Sequence, residues 1–205
     1  MTFKAHWENV YSTQVPEEVG WYAPHLRTSL ALINGTGVSK EARIIDVGGG
    51  ASTLVDDLLD AGFAHLTILD LAQVALAQVR SRLAERAAKV QWIEGDITNI
   101  DLPPGYYDVW HDRAVFHFLI EGESRKLYVN QMRRALKGGG HIIIATFAPE
   151  APPKCSGLDV MRYSLEQLHK ELGKDFILHE HKKELHVTPG GVKQMYLYCR
   201  FQKPA

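Results

Sequence analysis

The chain has 205 residues, 45% of them hydrophobic, and a net charge of −1. That is apolar material for one substantial core, so a single domain spanning residues 1–205 is expected. The near-neutral balance supplies no global basic field, so no nucleic-acid partner is expected.

Two cysteines, Cys155 and Cys199, make neither a disulfide framework nor a zinc pattern. The opening MTFKAHWENVYS lacks the apolar run of a signal peptide. No stretch of about 18 apolar residues occurs, so a cytoplasmic protein with no membrane partner is expected.

Residues 1–38 precede the core as a helical, aromatic segment carrying Trp7, Tyr11, Trp21 and Tyr22. Trp7 and Tyr11 share a helix face by their i, i+4 spacing. Such rings either cap the hydrophobic core or form a lid over a cationic or planar ligand. Between Pro24 and Asn34, Leu26, Leu30 and Ile33 recur at helical spacing, and Gly35 and Gly37 stop the segment.

The core is expected over residues 39–205, and it opens on the most informative stretch. Arg43 to Val47 is a short, largely β-branched run, followed by Gly48, Gly49 and Gly50, with a helical pattern opening at Ser52 or Thr53. Glycines let a turn be tight and let a ligand approach bare backbone, and the helix N-terminus beyond offers free N–H groups. His65 to Asp70 is a second buried strand. It ends in an acid 22 residues past Gly48, near the spacing at which a nucleotide-binding carboxylate meets a ribose. The dinucleotide fingerprint would place glycine where Thr53 stands, so the turn alone leaves the cofactor open.

An alanine-rich helix is predicted from Ala72 to Arg86, a third strand from Lys89 to Asp96, and a turn at Pro103-Pro104-Gly105. Tyr106 to Asp112 is the fourth strand. Glu123 to Lys137 is the next helix, closed by Gly138-Gly139-Gly140, and His141 to Phe147 is an apolar fifth strand of the doubly buried kind. Ser164 to Leu168 reads as a capped helix. Phe176 to Leu185 and Gln194 to Gln202 read as two strands around a turn at Thr188-Pro189-Gly190-Gly191. This alternation specifies an α/β fold: an open, Rossmann-like, seven-stranded sheet, mostly parallel, with one antiparallel strand near the C-terminal edge and helices on both faces.

Over roughly residues 40–200 the sequence resembles the class I S-adenosylmethionine-dependent methyltransferases. Asp46-Val47-Gly48-Gly49-Gly50 is similar to their acid-x-Gly-x-Gly motif, with Ser52 where a third glycine is common; a serine there can cap the helix. The resemblance implies S-adenosylmethionine as cofactor. It implies that Asp46 helps to hold the methionine ammonium and that Gly48, Gly49 and Gly50 let the backbone approach the methionine part. Asp70, with Leu71 beside it, would take the ribose, and Asp96 and Ile97 the adenine. Arg113 is counted with these cofactor contacts. Trp7, Tyr11 and Trp21 resemble the aromatic segment of thiopurine and thiol methyltransferases, which covers the sulfonium end, and this favours the lid.

The fourth strand runs out through His111, Asp112, Arg113 and His117. The Asn/Asp-Pro-Pro-aromatic motif of base-modifying methyltransferases is absent from it. His111, Asp112 and above all His117 are candidates for orienting the substrate or removing a proton. In the plainer reading Asp112 pairs with Arg113 and His117 caps a helix. His179, His181 and His186 fit no recognised metal spacing, so no metal is expected. The expected activity is methyl transfer to a small-molecule acceptor. The alternatives are a protein-lysine methyltransferase, a nucleotide-binding module without catalysis, or a nicotinamide-dependent enzyme. The methyl acceptor and the oligomeric state stay open.

Overall fold

The computed structural model describes residues 2–205. Helix α1 (Phe3–Thr13) and helix α2 (Arg27–Asn34) lead into β1 (Arg43–Val47), α3 (Leu54–Asp60), β2 (His65–Asp70), α4 (Gln73–Leu83), β3 (Val90–Glu94) and β4 (Tyr107–Arg113). Then follow α5 (Gly122–Ala135), β5 (Leu136–Phe147), a short pair β6 (Lys154–Cys155) and β7 (Leu158–Asp159), α6 (Leu165–Leu172), β8 (Ile177–Val187) and β9 (Lys193–Gln202).

Seven strands form one sheet in the order β3-β2-β1-β4-β5-β9-β8. Neighbours from β3 to β5 are parallel, whereas β9 runs antiparallel to both β5 and β8. Successive residues of a strand point to opposite faces, and the two cores divide accordingly. Ile44, Ile68, Val109 and Ile143 pack with Ile33 of α2, Leu58 of α3 and Val79 of α4. Ile45, Leu69, Trp110 and Ile144 pack with Tyr128 and Met132 of α5 and Leu168 of α6. Helices therefore cover both faces, which explains why the central strands read as continuous apolar runs.

The structure corrects several boundaries. The triple glycine does not close a helix: α5 stops at Ala135 and the chain enters β5 at once. Leu136 pairs with Tyr107, and His141 pairs with Val109, so the glycines bulge out between two ladder positions. Gly139 takes φ +72° there, a conformation that penalises any side chain. Helix α3 begins at Leu54, one or two residues later than predicted, and Ser52 Oγ accepts from the Leu54 N–H at 3.1 Å. Asp96 lies beyond β3, which ends at Glu94. The cap on α6 is a full capping box: Ser164 Oγ accepts from Gln167 N at 3.2 Å, and Gln167 Oε1 accepts from Ser164 N at 2.9 Å.

Ile144 has no solvent exposure and lies between Asp112 of β4 and Cys199 of β9. Ile144→Ala should lower stability by about 3 kcal/mol through lost transfer energy and a residual cavity. Urea unfolding checks this, and an unmoved midpoint would contradict the packing described for that face.

Candidate active site

Because β1, β2, β3 and β4 are parallel, their C-terminal ends lie along one edge of the sheet. The strand order reverses direction between β1 and β4, the place where open α/β sheets form a crevice. A cavity of about 290 Å³ opens there. Its walls carry Val47 and Gly48 after β1, Asp70 and Leu71 after β2, Asp96 and Ile97 after β3, and Arg113 to Val115 after β4.

The turn after β1 is held by backbone. The N–H groups of Gly48 and Gly49 both donate to the Leu69 carbonyl, at 2.7 and 3.2 Å. Gly48 has φ +66°, and a Cβ there would come within 1.9 Å of Val115 Cγ2. Gly50 has φ +38°, and a Cβ there would meet the Tyr11 hydroxyl at 2.6 Å and Asp70 Oδ2 at 2.9 Å. Neither position admits a side chain without moving its neighbours.

Asp70 is buried, and its Oδ1 accepts from the Ala72 N–H at 2.8 Å. Burial pushes its carboxyl up to about 7, against the pull of N–H groups at Ala72 and Gly50 and with the nearby Asp46 charge adding to the rise. Asp96 is exposed; its Oδ1 accepts from the Thr98 N–H at 2.9 Å and the Thr98 hydroxyl at 2.7 Å, so Oδ2 has no protein partner. Ile97 beside it is buried in the core yet faces the cavity.

Asp46 and His111 stand opposite each other in the β1–β4 ladder. Asp46 Oδ1 lies 2.6 Å from His111 Nδ1, and His111 Nε2 lies 2.8 Å from Ser29 Oγ of α2. All three are buried, and Asp46 Oδ2 has no hydrogen-bond partner. Arg113 donates through Nε to the Tyr198 hydroxyl and through Nη1 to the Trp21 carbonyl, both at 2.9 Å. Its guanidinium stacks 4.6 Å from the Tyr196 ring centroid. Among the described residues no carboxylate forms an ion pair with it.

The candidates for proton removal are placed elsewhere than the sequence suggested. Asp112 does not pair with Arg113. Its carboxylate accepts from the N–H groups of Val115 and Phe116 at 2.9 and 3.1 Å and from the Tyr128 hydroxyl at 2.5 Å, and burial raises its carboxyl to about 6. His117 accepts the Phe147 N–H at Nδ1, 3.3 Å away, which assigns its proton to Nε2. Burial, then the Arg113 charge, lowers the His117 pKa to about 3 and keeps the ring neutral. Neither residue lines the cavity, and His111 reaches only a small recess behind it, beside Asp46 and Gly49. The strand end packs inward because a carboxylate is needed to hold the turn that follows it. The sequence pattern alone does not distinguish such a residue from a base.

The aromatic segment does reach the site. Phe3, Trp7, Tyr11 and Trp21 line the cavity, and Phe118 faces them. Trp7 makes edge-to-face contacts with Trp21 at 5.5 Å and with Phe118 at 5.1 Å, the favourable geometry for ring quadrupoles. Trp7, Tyr11 and Trp21 pack with Ala51, Ala72 and Ala75 as a third cluster, while Phe118 packs against the sheet core that holds Ile44 and Val109. Helix α1 is anchored by Glu8, whose carboxylate accepts from the N–H groups of Gln73 and Val74 at 2.8 and 3.2 Å, the first turn of α4. Phe3, Phe118 and Cys155 went unread as lining residues. Phe3 continues the i, i+4 stripe of Trp7 and Tyr11 and was legible; nothing local marks Cys155.

A family model described as a methyltransferase domain matches residues 44–140, from β1 into β5. The eEF1A lysine and N-terminal methyltransferase of Bos taurus is 22% identical over 138 residues, which cover 67% of this chain and 19% of that protein. The chain spans about a fifth of the length of the first curated relatives it matches. A protein solved in work on conversion of a disulfide bond into a thioacetal group during echinomycin biosynthesis superposes with a TM-score of 0.80 at 17% identity, covering 99% of this chain and 94% of that one. The 1,6-didemethyltoxoflavin-N1-methyltransferase of Burkholderia thailandensis, solved with 1,6-didemethyltoxoflavin and S-adenosylhomocysteine, gives 0.70 at 18% identity, covering 89% and 79%. At such identities these structures speak for the fold. No helix among the described residues is long and apolar enough to cross a membrane. The family match favours the methyltransferase reading over the nicotinamide and non-catalytic alternatives. The methyltransferase-domain match over residues 44–140 and the antiparallel β9 in an otherwise parallel sheet both support a class I S-adenosylmethionine-dependent methyltransferase.

Proposed function

We propose that the protein transfers the methyl group of S-adenosylmethionine to a small molecule held against the aromatic cluster. The observation that carries this reading is the roof. Phe3, Trp7 and Trp21 close over the strand ends and leave about 290 Å³, a volume near the lower end for small-ligand sites. A second reading is methylation of a protein lysine. It is supported by the likeness to the eEF1A lysine methyltransferases and by the affinity of ring faces for an ammonium.

The residues present fit the cofactor. Asp70 offers a carboxylate for the ribose hydroxyls and Asp96 a free Oδ2 for the adenine amine, with Leu71 and Ile97 as apolar walls. The orphaned Asp46 Oδ2 suits an ammonium, and Arg113, without a carboxylate of its own, suits an anion. Gly48 to Gly50 give bare backbone between them. When bound, the sulfonium supplies the methyl group in activated form for in-line displacement. The chain's own part is to align the acceptor and exclude water. His111, Asp112 and His117 lie off the cavity, so no proton transfer is assigned to them. The two buried, free cysteines fit a reducing compartment, and the cytoplasm is the proposed location.

Two measurements test this. Asp70→Ala should weaken S-adenosylmethionine binding by about 2 kcal/mol or more, read by calorimetry, because charge-assisted hydrogen bonds vanish. The ionised carboxylate is the form that accepts from the ribose, and the free protein holds its proton up to about pH 7. Affinity should therefore rise from about pH 6 to about pH 8 with proton release on binding, and Asp70→Asn should flatten that slope. Affinity independent of pH in the native protein would refute the ribose assignment. Labelled methyl donor incubated with cell extract, then fractionated, separates the two acceptor readings. Label only in the protein fraction would replace the small-molecule reading with the lysine one.

A further inference from the structure

We propose that Ser29 and His111 form a positioning relay that sets the Asp46 carboxylate for the amino-acid end of the cofactor. The proposal rests on the cofactor reading above. Its basis is a chain of three buried polar side chains from three separate elements: Ser29 on α2, His111 on β4 and Asp46 on β1. Their exposures are 0, 1 and 3%. Burying three polar groups in an apolar sheet face costs free energy unless every atom finds a partner. Here one atom does not.

The hydrogen-bond order follows from the geometry. Asp46 Oδ1 can only accept, so His111 Nδ1 donates to it at 2.6 Å. Nε2 on the far side of the ring meets the Ser29 hydroxyl at 2.8 Å, and a hydroxyl can serve as either donor or acceptor there. The hydroxyl holds the plane of the ring, and the ring fixes which carboxylate oxygen is occupied. Oδ2 is left without a partner beneath Gly49, where an ideal Cβ would come within 2.9 Å. A recess lined by Asp46, Gly48, Gly49, His111 and Arg113 lies there. A cation donor such as an α-ammonium completes the carboxylate, and Arg113 on the same recess receives the accompanying anion. His111 and Ser29 touch no reacting atom; they act through Asp46.

The discriminating probe is 5′-methylthioadenosine, which keeps the adenosine and the sulfur but lacks the ammonium and the carboxylate. Calorimetry compares it with S-adenosylmethionine on the native protein, His111→Leu, His111→Asn and Ser29→Ala. His111→Leu should weaken S-adenosylmethionine about tenfold or more, and His111→Asn, whose amide can still donate to Oδ1, should recover to within about threefold of native. Methylthioadenosine affinity should stay within about twofold throughout. Should His111→Leu fail to fold, Ser29→Ala carries the test, with an expected loss of about threefold for S-adenosylmethionine alone. Equal losses for both ligands, or no loss for either, would overturn the relay while leaving the cofactor reading intact. A native protein that binds neither ligand would instead overturn the cofactor reading.

Discussion

Two backbone hydrogen bonds, from Gly48 and Gly49 to the carbonyl of Leu69, set the distance between the turn after β1 and the end of β2. Everything at the cavity is measured from that join. Asp70 follows Leu69 directly, so tying the turn to Leu69 brings its carboxylate against Gly50. Val115 presses on Gly48 from the β4 side, and it is held by its own N–H on Asp112. A side chain at either glycine would push apart the two walls of the cavity. The glycines serve close approach here more than flexibility.

The second theme is how the strand ends treat charge. Asp46, Asp70 and Asp112 are all buried, and each meets a different fate. Asp112 is saturated by two N–H groups and a phenol and works as a clamp on the following turn. Asp70 keeps one oxygen engaged by Ala72, and burial raises its pKa. Asp46 is satisfied on one side only. Arg113, next to Asp112 in the chain, turns to the Tyr198 phenol, the Tyr196 ring and the Trp21 carbonyl instead of pairing with an acid. Beside bare backbone, the strand ends thus leave one carboxylate oxygen without a partner and one guanidinium without an acid.

Much of this was legible before the structure. The fold was, because a doubly buried strand, a glycine turn and a helix repeat several times and then give way to a hairpin, and each of those signals is local. The positions of Asp70 and the aromatic pair at the cavity were readable by spacing, and that of Asp96 through the family resemblance. The roles of His111, Asp112 and His117 were not. Whether a polar residue at a strand end faces a cavity or the core depends on what packs over it, and Ser29, Tyr128 and Phe147 come from far along the chain. The triple glycine misled for a similar reason. A helix terminator and a strand bulge use the same residues, and only the ladder between β4 and β5 tells them apart.

Helix α1 carries most of the roof and rests its Glu8 carboxylate on the first turn of α4, shortly after Asp70. Lifting the roof therefore strips a cap from a neighbouring helix, at a cost of about 1 kcal/mol. The aromatic roof and the first turn of α4 are thereby tied together through one carboxylate.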